Sequence, residues 1–169
     1  MQRSGSSTED IFDLPLVHEK DNRLQVQLPK HFRDQSWANG MGLVQEEIGK
    51  WAVRGSTIPR KVVFDFTSCR WIDPLPLMSV LLEIVNALHL GITIAVHLPE
   101  PDSGPMPSEV GPYQESPNRL LLFLAQEGFL DSLDGLSNGD IYYSNKPADG
   151  WKSFRNLRVK PSYEAAECI

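Results

Sequence analysis

The chain has 169 residues, 41% of them hydrophobic and 22% charged, with a formal net charge of −6. That is one domain with some excess length and enough apolar material for a real core. The acidic balance argues against nonspecific binding to nucleic acid or to anionic membrane, both of which need positive surface. No apolar run approaches the roughly 20 residues that span a bilayer.

Residues 1–10, "MQRSGSSTED", are polar and Ser-rich and read as a disordered start without the apolar centre of a secretory signal. A β-hairpin follows: "IFDLPLVHE" and "NRLQVQLP" flank a turn at "KDN", and Leu24, Val26 and Leu28 alternate with polar neighbours. Val44, Ile48 and Trp51 recur at helical spacing, so an amphipathic helix is expected over about 41–54, weakened by Gly40, Gly42 and Gly49. "KVVFDF" (61–66) is a central strand and "TSCRWI" a turn. Asp73 then serves as helix N-cap with Pro74 in the first helical position. That helix runs to about Leu90 and ends at Gly91. "ITIAVHL" is an interior strand. From Pro99 to Pro117 six prolines and two glycines make a long loop. Ser116 and Pro117 repeat the cap-then-proline signal before "NRLLLFLAQE", which closes on Gly128 and Phe129 as a left-handed cap with its apolar contact. "DIYYSN" is an edge strand, and 146–169 is a tail or linker. The domain proper is expected over 11–145. Strands alternating with helices in this order imply an α/β fold, a mixed sheet of four to five strands with helices packed on it.

Candidate chemistry centres on the turn after "KVVFDF". Cys69 stands past the C-terminal end of a strand, where α/β folds place reactive groups, with Arg70 adjacent but no His nearby. The plainer reading is a small apolar residue. Asp65 fits a strand-end acid for phosphoryl chemistry, yet Thr67 occupies the position where a second acid is needed. The plainer reading is an Asp that hydrogen-bonds the next turn. His18, His31, His89 and His97 have no partner at metal-ligand spacing, no Cys-x-x-Cys is present, and no Gly-rich phosphate loop follows a strand. No metal or cofactor is therefore expected. Two cysteines, Cys69 and Cys168, make no disulfide framework and suit a reducing, cytoplasmic compartment. The tail carries Lys146, Lys152, Arg155, Arg158 and Lys160 against Asp149, with Trp151 and Phe154 interleaved. Contact with nucleic acid or an acidic partner is one reading, a packed extension the plainer one.

The helix after Asp73 has more apolar surface than one neighbour can use. Leu77, Leu81, Ile84 and Leu88 can face the sheet, while Leu75, Met78 and Leu82 form a flank that needs another cover. Ser79, Glu83, Asn86 and His89 are its only polar strip. Either neighbouring elements cover the flank or it is a docking surface.

The run "VVFDFTSCRWIDPLPLMSVLLEIVNALHLGITIAVHLPEP", with "RLLLFLAQEGFLDSL" after the loop, resembles the STAS domain, the fold of sulfate transporters and anti-sigma-factor antagonists. The likeness covers about 61–133, and the ββα order before it agrees. Ile72, Asp73 and Pro74 also resemble the divergent STAS-like segments attached to bacterial ATP-binding regulators. The resemblance implies a non-enzymatic, bacterial signalling module that binds a partner protein through the helix after Asp73 and its leading turn. The implied contact residues are Asp73, Leu75, Pro76, Met78, Ser79, Leu82 and Asn86. The implied partner is an ATP-binding kinase-like regulator, a domain of the same polypeptide, or a second copy. Family members that switch do so by phosphorylation of a Ser or Thr just after the aspartate. Here Pro74, Leu75 and Pro76 stand there, so partner binding is expected without that switch. The alternative function is a small hydrolase using the Asp65–Cys69 turn.

Overall fold

The structure, a computed structural model, describes residues 14–53, 61–102, 115–136 and 141–144. Residues 1–13, most of the proline-rich segment and the tail from 145 onward lie outside the described residues.

The chain opens with the expected hairpin, β1 (Leu16–Lys20) and β2 (Arg23–Gln27), antiparallel. Asp21 and Asn22 both hold positive φ, 52° and 59°. Two such residues in a two-residue loop match the right-handed twist of the strands, and Asp and Asn tolerate that region best after Gly. β3 (His31–Phe32) follows, then α1 (Asp34–Val53), β4 (Lys61–Asp65), β5 (Trp71–Ile72), α2 (Pro74–His89), β6 (Thr93–His97), α3 (Pro117–Gln126), α4 (Phe129–Leu136) and β7 (Ile141–Ser144).

The main sheet runs β1-β2-β4-β6-β7, antiparallel only at the hairpin and parallel elsewhere. This is the expected mixed α/β architecture, and β7 is an edge strand as its sequence suggested. Register explains the core. Leu24, Val62 and Ile94 stand side by side on β2, β4 and β6, and Val26, Phe64 and Val96 form the next row. All six are buried in the core cluster. Their strand neighbours point to the other face, as a two-residue period requires. The helices pack above these rows: α1 touches β1 and β2, α2 lies on β6 between α1 and α4, and α4 reaches β7.

Three features depart from expectation. α1 begins at Asp34, a full two turns early, because Gly40 is a packing residue and not a breaker. A Cβ there would stand 2.6 Å from Pro15 Cδ and 3.2 Å from a Phe32 ring carbon. Second, β3 and β5 pair in parallel as a separate two-stranded sheet, His31 with Trp71 and Phe32 with Ile72. Runs of two residues carry no period to read. Third, the chain after Gly128 (φ 73°) continues into α4. Phe129 has the expected apolar contact, its ring 5.6 Å from that of Phe66. Leu130 and Leu133 extend the same buried face, and the Ser132 N–H donates to the Gly128 carbonyl at 2.9 Å.

Close packing at Gly40 makes a direct prediction. Gly40→Ala should lower the stability to urea by about 1–3 kcal/mol, the usual effect of forcing an extra carbon into a filled site. An unchanged unfolding midpoint would show that Pro15 does not press on α1.

The candidate interaction surface around the second helix

The start of α2 is fixed by its aspartate, in an unexpected way. Asp73 occupies the N-cap position (φ −74°, ψ 157°) but makes no side-chain bond to its own helix. Instead its Oδ2 accepts the Asp34 N–H at 2.9 Å, and its Oδ1 accepts the Trp71 indole N–H at 2.7 Å. The carboxylate thus satisfies one of the orphan donors at the N-terminus of α1, the positive end of that helix. Backbone bonds complete the joint: the Asp73 N–H donates to the Phe32 carbonyl, and Arg70 and Trp71 donate to that of Lys30. The Trp71 ring stacks on Phe123 of α3, centroids 6.2 Å apart at 16°. One residue therefore locks the beginnings of α1 and α2 together.

Beside this joint lies an open cleft of about 530 Å³, lined by Arg33, Asp34, Gln35, Trp71, Asp73 and Glu115. Glu115 Oε1 is 2.6 Å from His31 Nε2 and its other oxygen 3.8 Å from Lys30 Nζ. Asn118, buried, donates to the Asp102 carbonyl and accepts its N–H. The described ends of the proline-rich segment are thus both tied to the domain. Ser116 caps α3 as its sequence indicated, its Oγ accepting the Arg119 N–H at 3.2 Å.

Along α2 the buried face is Pro76, Leu77, Val80, Glu83, Ile84 and Ala87, with Leu81 and Leu88 partly buried against the core. Leu75, Met78 and Leu82 are 45%, 62% and 56% exposed. They stand at i, i+3 and i+7, so they form a line along the outward crest. Asn86 and His89 continue that line as exposed polar residues. The other half of the polar strip is taken up inside the fold. Ser79 accepts the Trp37 indole N–H at 2.5 Å and donates to the Leu75 carbonyl. Glu83, only 4% exposed, accepts from Gln45 Nε2 at 2.8 Å and sits near Asn86 Nδ2. Both residues belong to the seam between α1 and α2. Of the seven expected contact residues, Leu75, Met78, Leu82 and Asn86 are on the open crest. Asp73 and Ser79 are partly buried and engaged within the fold. Pro76 is buried, so it is removed from the surface: the first turn of α2 directs it inward.

The rival reading at the 65–69 turn meets an inert geometry. Asp65 accepts the Thr67 N–H and hydroxyl on one oxygen, at 2.9 and 2.6 Å, and Gln25 Nε2 on the other at 2.9 Å. It organises the turn. Cys69 is fully buried and its thiol donates to the Trp71 carbonyl at 3.4 Å. Burial pushes the Cys69 pKa up to about 12, outweighing the nearby backbone of Trp71 and Arg70 and the Arg70 charge, which act in the opposite direction. A thiol that stays protonated and unreachable is no nucleophile. Among the described residues no group of His, Cys, Asp and Glu could hold a metal ion, and no helix is long and apolar enough to cross a membrane.

Among solved structures, the chain is similar to a variant of RsbS from Moorella thermoacetica, at 14% identity and a TM-score of 0.47, over 85% of this chain and 96% of that one. No protein-family model matches the chain, and no curated protein does.

Two measurements check this geometry. In a Cys168→Ser background at pH 8, a thiol reagent should label Cys69 at least about 100-fold more slowly in the native chain than in urea, because the thiolate is absent and shielded. Equal rates would contradict the burial. Asp73→Ala should cost about 1–2 kcal/mol by leaving the α1 N-terminus unsatisfied. Stability unchanged in urea titration would mean that the bond to Asp34 contributes nothing.

Proposed function

We propose that this chain is a non-catalytic, regulatory interaction module that binds a partner protein through the crest of α2, without a phosphorylation switch. The observation that carries the reading is the line of Leu75, Met78 and Leu82, each about half exposed, on a helix whose other large apolar side chains are buried or partly buried. Apolar side chains in a contiguous line with polar residues at the border are what a docking surface presents. The cleft beside Asp73 extends the surface with charged and aromatic groups.

A switch by phosphorylation would place about −2 of charge at the helix N-terminus. Pro74, Leu75 and Pro76 offer no hydroxyl there, and Ser79 is held by Trp37. The contact is therefore a persistent apolar one. Its partner chemistry is a protein surface with a complementary apolar stripe, as an ATP-binding regulator or another domain of the same polypeptide would supply. A thiol or phosphate-transfer activity at residues 65–69 is disfavoured by the buried thiol and the fully engaged aspartate.

Leu82→Asp tests the reading, since a charge on the open crest removes the apolar contact and leaves the core alone. Captured partner should fall at least tenfold while circular dichroism and thermal unfolding stay within a few degrees of the parent. Undiminished capture by the folded variant would remove α2 from the binding surface.

A further inference from the structure

The sheet has a second face, and part of it is buried with no described element over it. β2 leads through α1 to β4, β4 through α2 to β6, and β6 through α3 and α4 to β7, each time to the next parallel strand in the same direction. Right-handed crossovers taken in one direction put every helix on one face. By the two-residue period the other face carries Leu16 and His18 of β1, Gln25 of β2, Val63 and Asp65 of β4, and Ala95 of β6. Among the described residues no element lies over it, yet Val63 is 1% exposed, Ala95 0% and Asp65 8%. Neither Val63 nor Ala95 belongs to the core cluster on the helix side. Side chains on a sheet face stand side by side, roughly perpendicular to it, and leave each other's ends open, so other residues of the chain cover this spot. Burial is graded across the strands: Leu16 and His18 are exposed, Gln25 is half-buried, and Val63 and Ala95 are buried. The cover therefore comes from the β6–β7 side.

We infer that residues 145–160, beyond the described part of the chain, turn back from the end of β7 and strap this face, with Trp151 and Phe154 seated on Val63 and Ala95. Ser144 pairs in register with His97, so β7 ends one strand and two residues from Ala95, a distance of about 10 Å. Trp151 stands seven residues farther along, a reach of up to about 23 Å. A patch two strands wide is about 10 Å across, and one or two aromatic rings, each able to bury about 150–250 Å², close it. Other segments outside the described residues fit less well. Residues 54–60 and 137–140 join helix ends to strand starts. Residues 103–114 leave and return on the helix side, where Asp102 is bonded to Asn118 of α3 and Glu115 to His31. Residues 1–13 enter beside β1, where the face is open. The strap supplies the second apolar layer that strands buried on both faces need. It extends the domain past 145, and it makes Lys152 and Arg155 part of a packed segment, not of a free basic arm.

Thiol labelling of the full chain reads the cover directly. In a Val63→Cys, Cys168→Ser chain, a maleimide should label position 63 slowly, at a rate within about tenfold of that at Cys69, with the two sites told apart by peptide mass. Adding Trp151→Ser and Phe154→Ser should speed labelling at position 63 at least about tenfold and leave Cys69 slow, because the strap lifts and the helix-side core stays closed. Ala95→Cys is the second probe, should Val63→Cys fail to fold. Limited trypsin digestion needs no probe at all: in the otherwise unsubstituted chain the bonds after Lys152 and Arg155 should be cut at least about tenfold more slowly than in the Trp151→Ser, Phe154→Ser variant. Fast labelling of position 63 with both rings in place overturns the inference. So does labelling that stays slow without them, or that rises equally at Cys69. Opening of position 63 by Phe12→Ser, and not by the Trp151 and Phe154 changes, would give the face to the N-terminal segment and overturn it too.

Discussion

α2 is held on three sides, and the content of its fourth side follows from that. α2 packs on β6, α1 and α4, with Leu77, Val80, Ile84 and Ala87 buried and Leu81 and Leu88 partly buried, and α1 takes Ser79 and Glu83 through Trp37 and Gln45. Two of the few polar side chains on the helix are consumed in the α1 seam, where Glu83 is buried with Gln45 beside it. What remains for solvent is the apolar line of Leu75, Met78 and Leu82, continued by Asn86 and His89. Fully burying a Leu or Met is worth about 1.5–3 kcal/mol, so three half-exposed side chains in line leave a few kcal/mol that association can recover.

The position of that crest depends in turn on the joint at Asp73. Its carboxylate bridges the first N–H of α1 and the Trp71 indole, and the β3–β5 pair holds both helix starts at one height. Two acidic side chains, Asp34 and Asp73, line the cleft at the N-terminal end of α2. A further −2 there would meet like charge. On the proposed reading, the interaction is governed by apolar contact and not by added charge.

The sheet was legible because alternation on β2 and the β-branched runs of β4 and β6 report burial directly. The two prolines after Asp73 and Ser116 placed α2 and α3 for the same reason: a proline has one natural place at a helix start. Other features depended on partners far along the chain. Nothing local distinguishes Gly40, which accommodates Pro15, from Gly42, which faces open space. Asp73 had the spacing of a cap for α2, but its donor lies 39 residues away on another helix. The α2 polar strip divides between the α1 seam, at Ser79 and Glu83, and solvent, at Asn86 and His89, because periodicity gives the angle between residues on a helix, not which angle meets a neighbour. The open apolar crest was legible from the breadth of the apolar arc, and the flank singled out from it, Leu75, Met78 and Leu82, is the part that reaches solvent.

The account stands on the crest being open in the isolated chain. Hydroxyl-radical footprinting reads this through two methionines of the same protein: Met78 on the crest and Met41 in the core. In dilute solution Met78 should oxidise at least about ten times faster than Met41. Oxidation of Met78 as slow as that of Met41 would mean that the fold covers its own crest, and the proposed docking surface would not exist.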